Sequence, residues 1–513
     1  MYAARTRRNC SILKAKRSFE QGGGGIGGHI SCGHGPRFAA GVPLENMSTD
    51  SLVENVILEN VERGELFFCE EIWVGGRVVG VLDDGFVLQD ESGRADVVSD
   101  EKLGISNFEV GDIVECLVEK HEGEKGEPLR FALLDLLVLV PCKADFFIKK
   151  EDPNFLKMIV DLQKKYILDS RAEVIKKIRM FFWNEGFVET DTPELVRCPG
   201  MEPYLDVFKT RFFTDPNQKE KGEDLYLITS PEYALKKLLV SGYEKIFQIA
   251  KSFRNKETAS NLHNPEFTLL EWYRAYASYL EIMDDTEKLV RFLVKEILGS
   301  QKGEVADSGA EGAAGECGKI IFQGHEIEVD SSWERLKVKD AFAKYAGIVV
   351  EDFEDPQKLK QIAQKKGYAI NENSTYDDAF FLIFMNEIEP KLGLNKPVIL
   401  YEYPVSMAAL SKRCEDNPKY AERFEVYIAG IELCNAFTEL NDGEEQLYRL
   451  EAERKDRQKM GKDDYPVDQR FIRALDFGMP PSGGIALGVD RLIMLLTDTP
   501  EIENVLFFPY KDL

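Results

Sequence analysis

The run Arg423-Phe424-Glu425-Val426-Tyr427-Ile428-Ala429-Gly430-Ile431-Glu432 carries two carboxylates on either side of a turn-forming dipeptide. If Ala429-Gly430 is a two-residue hairpin turn, Tyr427 pairs with Glu432. Glu425 then shares their face, because alternate residues of a strand point to the same side. Like charges brought together among apolar neighbours need a counter-charge, and a divalent cation such as Mg2+, bridging carboxylates and phosphates, is the natural agent. Solvated strand charges are the plain alternative, which the apolar neighbours weaken. Asn435 and Glu439 have the opposite strand parity from Glu432. A bend or bulge must therefore intervene if all of them face one pocket.

The densest polar text is Phe253-Arg254-Asn255-Lys256-Glu257, followed by His263-Asn264-Pro265-Glu266-Phe267-Thr268 and Glu271-Trp272-Tyr273. With Gly186-Phe187-Val188-Glu189-Thr190-Asp191-Thr192-Pro193 upstream and Gly488-Val489-Asp490-Arg491-Leu492 near the end, it resembles motifs two, one and three of the class II aminoacyl-tRNA synthetases, the lysyl branch most closely. The resemblance spans roughly 150–513 and implies an α+β catalytic domain, an antiparallel sheet flanked by helices, with a homodimer through motif one. It also implies ATP and Mg2+. An amino-acid carboxylate attacks the α-phosphate and pyrophosphate leaves, so fixed cations at the phosphorus oxygens lower the barrier. On that resemblance Arg254 bridges phosphate and substrate carboxylate, a task suited to a guanidinium fork. Phe267 and Arg491 cover the two faces of adenine. Asn255, Glu257, His263, Asn264, Leu433 and Gly488 complete the ATP set, and Glu425 and Glu432 match the metal-binding acids. Ser230, Pro231 and Glu232 match the segment holding the substrate's backbone amino group, and Glu271, Tyr273, Asn435 and Glu439 the positions receiving a lysine side-chain ammonium. A cationic substrate pairs carboxylates that otherwise repel one another.

Two departures from the family stand in motif two. Arg254-Asn255-Lys256-Glu257 replaces the usual Arg-Asn-Glu, so that either Lys256 is inserted and Glu257 keeps the acidic role, or the acid has left its place. Leu262 occupies a position where lysyl-tRNA synthetases usually have arginine.

Two acceptors fit the same first half-reaction. The segments Thr229-Ser230-Pro231-Glu232-Tyr233, Ile246-Phe247-Gln248 and Ala421-Glu422-Arg423-Phe424-Glu425 resemble the elongation factor P lysine ligase. That paralogue attaches (R)-β-lysine or lysine to a protein lysine. Ala486 strengthens that reading, because lysyl-tRNA synthetases normally have glycine there, and a methyl group in the amino-acid pocket favours a β-shifted amine; simple packing is its plain alternative. A β-rich segment ahead of the catalytic region points the other way, to tRNA(Lys), because compact ligases of this kind lack an anticodon-binding domain. The expectation is the protein acceptor first, with tRNA(Lys) as the alternative. A catalytically silent paralogue used as a binding module would have lost phosphate or metal residues, and Arg254, Glu425, Glu432 and Arg491 are all present.

Several elements must position these groups. From 66 to 140 short β-type runs alternate with turns, Asp84-Gly85 and Ser92-Gly93 among them, which predicts a small closed barrel of the oligonucleotide-binding (OB) type. Residues 51–150 hold 22 acidic against 10 basic side chains, a poor phosphate receptor. From Arg171 to Trp183 the apolar positions Val174, Ile175, Ile178 and Phe181 or Phe182 follow the three-four spacing of a helix with one buried face. The domain expectation is a basic, Gly-rich disordered tail at 1–50, a barrel at 51–145 and a catalytic domain at 150–513, with a flexible insertion near 299–318. An organelle transit peptide or a misassigned start would share the tail's composition.

Composition limits the class. At 513 residues and 44% hydrophobic the chain has material for more than one packed core. No run of eighteen apolar residues suggests a membrane span. Nine cysteines without a CxxC pair indicate neither structural zinc nor a disulfide framework, which suits a reducing cytoplasm. A net charge of −25 repels nucleic acid except where a local patch reverses the field.

Overall fold

The computed structural model describes residues 71–82, 84–90, 94–99, 108–121, 130–143, 152–159, 161–215, 222–257, 260–299 and 318–513. The expected tail, the turn at Ser92-Gly93 and nearly all of the expected insertion lie outside the described residues. The chain divides into two compact units after Lys150.

The first unit is a closed five-stranded barrel. Its strands are β1 (Glu71–Leu82), β2 (Gly85–Gln89), β3 (Arg94–Val98), β4 (Ile113–His121) and β5 (Arg130–Val140), joined in the order β1-β2-β3-β5-β4 and closed by β1 on β4. This agrees with the OB-like expectation. Alternation explains it: Val74, Val78, Phe86, Leu88, Val97, Val114, Cys116, Val118 and Phe131 fill the interior, while intervening positions face out. Two details differ from the sequence expectation. β1 runs unbroken through Gly75-Gly76, where the sequence reads as two runs, Ile72 to Val74 and Arg77 to Leu82, and Leu82 pairs with Gly85, which puts Gly85 in strand rather than in the turn.

The second unit is built on an eight-stranded sheet. Its strands are β6 (Val188–Glu189), β10 (Lys245–Phe253), β11 (Glu266–Ala275), β14 (Glu334–Lys337), β15 (Val398–Pro404), β16 (Tyr420–Ile428), β17 (Ile431–Thr438) and β18 (Ser482–Gly488). The order is β14-β15-β16-β17-β18-β11-β10-β6, antiparallel except for the outermost pair at each edge. A small sheet of β7 (Leu195–Val196), β8 (Lys209–Phe212) and β9 (Glu223–Leu227) and a hairpin of β12 (Lys319–Phe322) and β13 (His325–Glu328) stand apart.

Helix α1 (Leu162–Asn184) starts where the Asp161 carboxylate accepts from the Lys164 N–H. It buries Val174, Ile178, Phe181 and Phe182, with Ile175 half-covered. Phe182 stacks on Phe247 with ring centroids 4.8 Å apart and meets Trp272 at 5.2 Å, which fixes α1 against β10 and β11. Truncating such a wholly buried ring to alanine costs about 3–5 kcal/mol. Helices α2 (Glu232–Val240), α3 (Tyr279–Leu298), α4 (Gly443–Lys459), α5 (Gln469–Gly478) and α6 (Val489–Leu496) complete the scaffold. Among the described residues no helix is long and apolar enough to cross a membrane, and Cys116, Cys198, Cys414 and Cys434 are free thiols.

Candidate active site

Register across the sheet decides what meets. Glu425 pairs with Asn435, Asn435 with Ala486, Ala486 with Glu271, and Glu271 with Gln248. Directly opposed residues share a face, so a single row crosses five strands with its side chains on one side. The next row runs Arg423, Phe437, Gly484 and Tyr273. Gly484 is obligatory there: a Cβ would lie 2.2 Å from Glu439 Oε1 and 2.3 Å from a carbon of the Tyr273 ring.

The hairpin expectation holds. Ala429 and Gly430 both take positive φ, 53° and 74°, as a tight turn of this kind requires, and Tyr427 pairs with Glu432. The register then slips between Val426–Cys434 and Tyr427–Glu432, leaving Leu433 as the extra residue. This bulge is the device that brings Glu432 to the side of Asn435 and Glu439 despite their opposite parity.

These rows wall a cavity of about 260 Å3 that also takes in the motif-two loop and the start of α6. Arg254, Glu257, His263, Asn264, Phe267, Ser230, Glu232, Glu271, Tyr273, Glu432, Leu433, Asn435, Glu439, Ala486, Gly488 and Arg491 all line it. Asn255, Pro231 and Glu425 do not. Asn255 turns its amide to the Lys256 N–H, closing the loop's own turn. Pro231 lies in the wall of a larger adjoining hollow of about 780 Å3. That hollow shares Ser230 and Glu232 but contains neither Arg254 nor Arg491, so the smaller cavity is where phosphate and ammonium chemistry can meet.

One end of the cavity is cationic. The Arg254 guanidinium lies 5.1 Å from the Phe267 ring centroid, and its buried Nε has no partner. Arg491 donates to the Glu432 carbonyl at 2.8 Å, lies 3.5 Å from the Glu432 carboxylate and donates to His263 Nε2 at 3.2 Å. Burial first, and the Arg491 charge second, hold the His263 imidazole below its ordinary range. It is therefore neutral, accepting at Nε2 and donating from Nδ1 to Ser260 Oγ at 2.8 Å. Asn264 spends its amide on the Glu266 carbonyl and the Tyr510 N–H, which ties the loop to the C-terminal turn.

The motif-two alternatives separate here. Lys256 adopts φ 65° and points away, its Nζ 3.2 Å from Asp206, whereas Glu257 returns to the cavity 3.8 Å from both Arg254 and His263. The geometry is that of an inserted lysine with the acid kept in place. Leu262 packs against the apolar core.

The other end is acidic. Glu271 accepts from Ser230 Oγ at 2.6 Å and from the Tyr273 hydroxyl at 3.0 Å. Burial, then the Glu232 charge, pushes its carboxyl up to about 8. Glu439 is also pushed up to about 8 by burial, against the pull of Lys236. Both Glu439 oxygens and Asn435 Oδ1 are buried without hydrogen-bond partners, and of the two Glu439 oxygens Oε2 is in ion-pair contact with Lys236 at 2.5 Å. Unsatisfied buried acceptors are costly and point to donors supplied from outside the chain.

Glu425 stands behind Glu432. Tyr403 and Tyr427 donate to its Oε2 at 2.5 and 2.6 Å, and Arg423 to its Oε1 at 2.6 Å. Burial, then Glu425, raises the Glu432 carboxyl. Among the described residues no three His, Cys, Asp or Glu side chains converge on a metal-sized point. The donor set fits a Mg2+ ion only in the mode where one or two carboxylates share it with phosphate oxygens.

Three functional features escaped the sequence reading. Arg171 on α1 pairs with Asp490 at 2.5 Å and with Thr268 Oγ1 at 3.0 Å, while the Thr268 N–H donates to the other Asp490 oxygen at 2.7 Å; this buried triad braces the residue next to Arg491. Glu389 is pushed up to about 7 by burial and then by Glu432 and Glu425, a third acid near that pair. Lys236 lies buried at the acidic end. The first and third join residues far apart in the chain, and only Glu232-x-x-x-Lys236 left a local helical signal.

The cavity thus holds the Arg254 and Arg491 guanidiniums together with the Glu271 and Glu439 carboxyls. The family of class II tRNA synthetases (D, K and N) matches residues 150–512. The chain belongs to that family. A lysine-tRNA ligase of Magnetococcus marinus is 35% identical over 459 residues, covering 85% of this chain and 86% of the relative. One from Moorella thermoacetica is 33% identical over 468 residues, 87% of this chain and 90% of the relative, and one from Staphylococcus aureus 32% over 426 residues, 81% of each. This class II chain is accordingly a ligase of the lysyl branch. The relatives do not specifically support the elongation factor P ligase.

Proposed function

We propose that the chain activates lysine with ATP as an aminoacyl-adenylate and transfers the aminoacyl group to tRNA(Lys). One observation carries the first step: Arg254 and Arg491 face Glu271 and Glu439 across one small cavity, and the unpartnered Arg254 Nε, Asn435 Oδ1 and Glu439 Oε1 lie on its walls. The lysine ammonium enters among Glu271, Tyr273, Asn435 and Glu439, and the backbone amino group is held at Ser230 and Glu232. Phe267 and Arg491 sandwich adenine, with Glu257, His263, Leu433 and Gly488 around the nucleotide. The substrate carboxylate oxygen attacks the α-phosphorus, the bond to the bridging oxygen breaks, and pyrophosphate leaves. Arg254 stabilises the charge growing on the α-phosphate oxygens and lines up the attacking carboxylate, the part of the barrier that preorganised donors lower most. Mg2+ held at Glu432, with Glu425 behind it, would offset charge on the phosphates. A homodimer through motif one belongs to the same proposal.

The acceptor half rests on the relatives. Their matches of 459 and 468 residues exceed the 363 residues of the family match, so they reach into the barrel unit. This favours tRNA(Lys) over the protein acceptor that the sequence reading put first. A specific observation keeps the second reading in play: Ala486 projects its methyl into the cavity between Glu271 and Asn435. The test supplies the protein with ATP, labelled lysine or (R)-β-lysine, and either tRNA(Lys) or elongation factor P. Labelled tRNA supports the proposal; labelled protein with unlabelled tRNA overturns it in favour of the second reading.

A further inference from the structure

Lys236 has its whole side chain out of water and its Nζ 2.6 Å from Glu232 Oε1 and 2.5 Å from Glu439 Oε2. It sits one turn beyond Glu232 on α2, so the first contact is local. The second reaches the residue just past the end of β17, a partner fixed by tertiary structure alone. Phe471 of α5 closes the far side, its ring centroid 6.0 Å from Nζ. Among the described residues no other basic side chain is paired with Glu439, and Glu271 is satisfied by Ser230 and Tyr273 hydroxyls without a cation. Glu232 and Glu439 thus share one ammonium, and Glu271, which feels the charge of both acids, has only hydroxyl partners.

We infer that Lys236 is a positioning and specificity residue of the amino-acid pocket: it anchors Glu439 through Oε2, leaving Oε1 to take the substrate ammonium, and sets how much negative charge remains for that ammonium to match. The inference rests on the reading of this cavity as a lysine site. Its physical basis is the mismatch of one fixed cation with three acids. A buried ammonium is costly unless paired, and burial pulls Lys236 down; the charges of Glu232 and Glu439 outweigh it, and the net direction is up. Lys236 stays charged and cannot neutralise every neighbour. Glu271 has only hydroxyl partners, and burial holds its proton in place until a substrate cation replaces it. The groups facing Glu439 are Lys236 and Glu232 of α2, Glu271 and Tyr273 of β11, and the empty edge at Gly484 of β18.

Lysine-dependent exchange of pyrophosphate into ATP, measured against pH, tests this. In Lys236→Met the lysine KM rises at least tenfold while the ATP KM stays at the wild-type value. The acid limb of kcat/KM for lysine moves up by about 1–3 pH units, the usual effect of removing a close opposite charge. Glu232→Gln removes a like charge instead, and the same limb moves down. Opposite shifts are not produced by loosened packing. An unmoved limb in Lys236→Met overturns the inference; should that variant not fold, an unmoved or upward-moving limb in Glu232→Gln does so. Absence of lysine-dependent exchange in the native wild-type chain would instead overturn the proposed function.

Discussion

Lysine binding should expel protons. With Glu271 pushed up to about 8 by burial and no cation beside it, its carboxyl is roughly 90% protonated at pH 7 in the empty cavity. An entering ammonium favours its ionised form. Complete ionisation would release about 0.9 protons per lysine at pH 7 and about 0.2 at pH 8.5, where most of the acid is already charged. The sign follows from linkage: the free protein binds more protons than the complex, so affinity rises with pH, roughly eightfold per unit near pH 7. In the absence of lysine the same acid binds more protons folded than unfolded, so stability falls as pH climbs from the ordinary carboxylate range to about 8. Titration calorimetry in phosphate and in Tris, whose ionisation enthalpies differ, reads the release as the slope of apparent enthalpy against buffer enthalpy. Glu271→Gln should remove about one proton from it. A binding enthalpy independent of buffer at pH 7, in wild-type protein that demonstrably binds lysine, would refute the claim that the Glu271 carboxyl is neutral in the empty site.

Two further outcomes are expected. Gly484→Ala forces a methyl against Glu439 and the Tyr273 ring, overpacking that costs about 1–3 kcal/mol; the lysine KM in pyrophosphate exchange should rise at least tenfold with the ATP KM unchanged, and a wild-type lysine KM would contradict the packing described. Arg171→Met leaves Asp490 buried without its cation, so urea unfolding should report a loss of about 3–5 kcal/mol. Adding Asp490→Leu should restore part of it, and a loss below about 1 kcal/mol would mean that the triad does not brace α1.

Chemistry was more legible than placement. Turn-forming Ala429-Gly430 and strict strand alternation were enough to pair Tyr427 with Glu432 and to require a bulge, because both are local rules of the backbone. The barrel strands were legible for the same reason, apart from β1, read as two runs, and ends such as Gly85. The motif-two insertion was visible as an extra residue but not its resolution. Whether Lys256 or Glu257 turns inward depends on the positive φ at Lys256 and on Asp206, fifty positions upstream. Asn264 read as a nucleotide contact, yet its amide is consumed by Glu266 and Tyr510. The order of the two acceptors also changed, because that preference rested on Ala486 and barrel charge while the relatives match across both units.

Residue type and short-range periodicity by themselves determined the helix around Val174 to Phe182, the barrel, the Ala429-Gly430 hairpin and the guanidinium and carboxylate inventory, and the motifs carried the family resemblance. Tertiary structure alone decided that Glu271, Asn435 and Ala486 share one row, that Arg171 meets Asp490, and that Lys236 stands between Glu232 and Glu439. The reason is physical: the strength of a charge pair depends on separation and burial, and neither is encoded until sheet register brings distant segments within a few ångströms and removes the water between them.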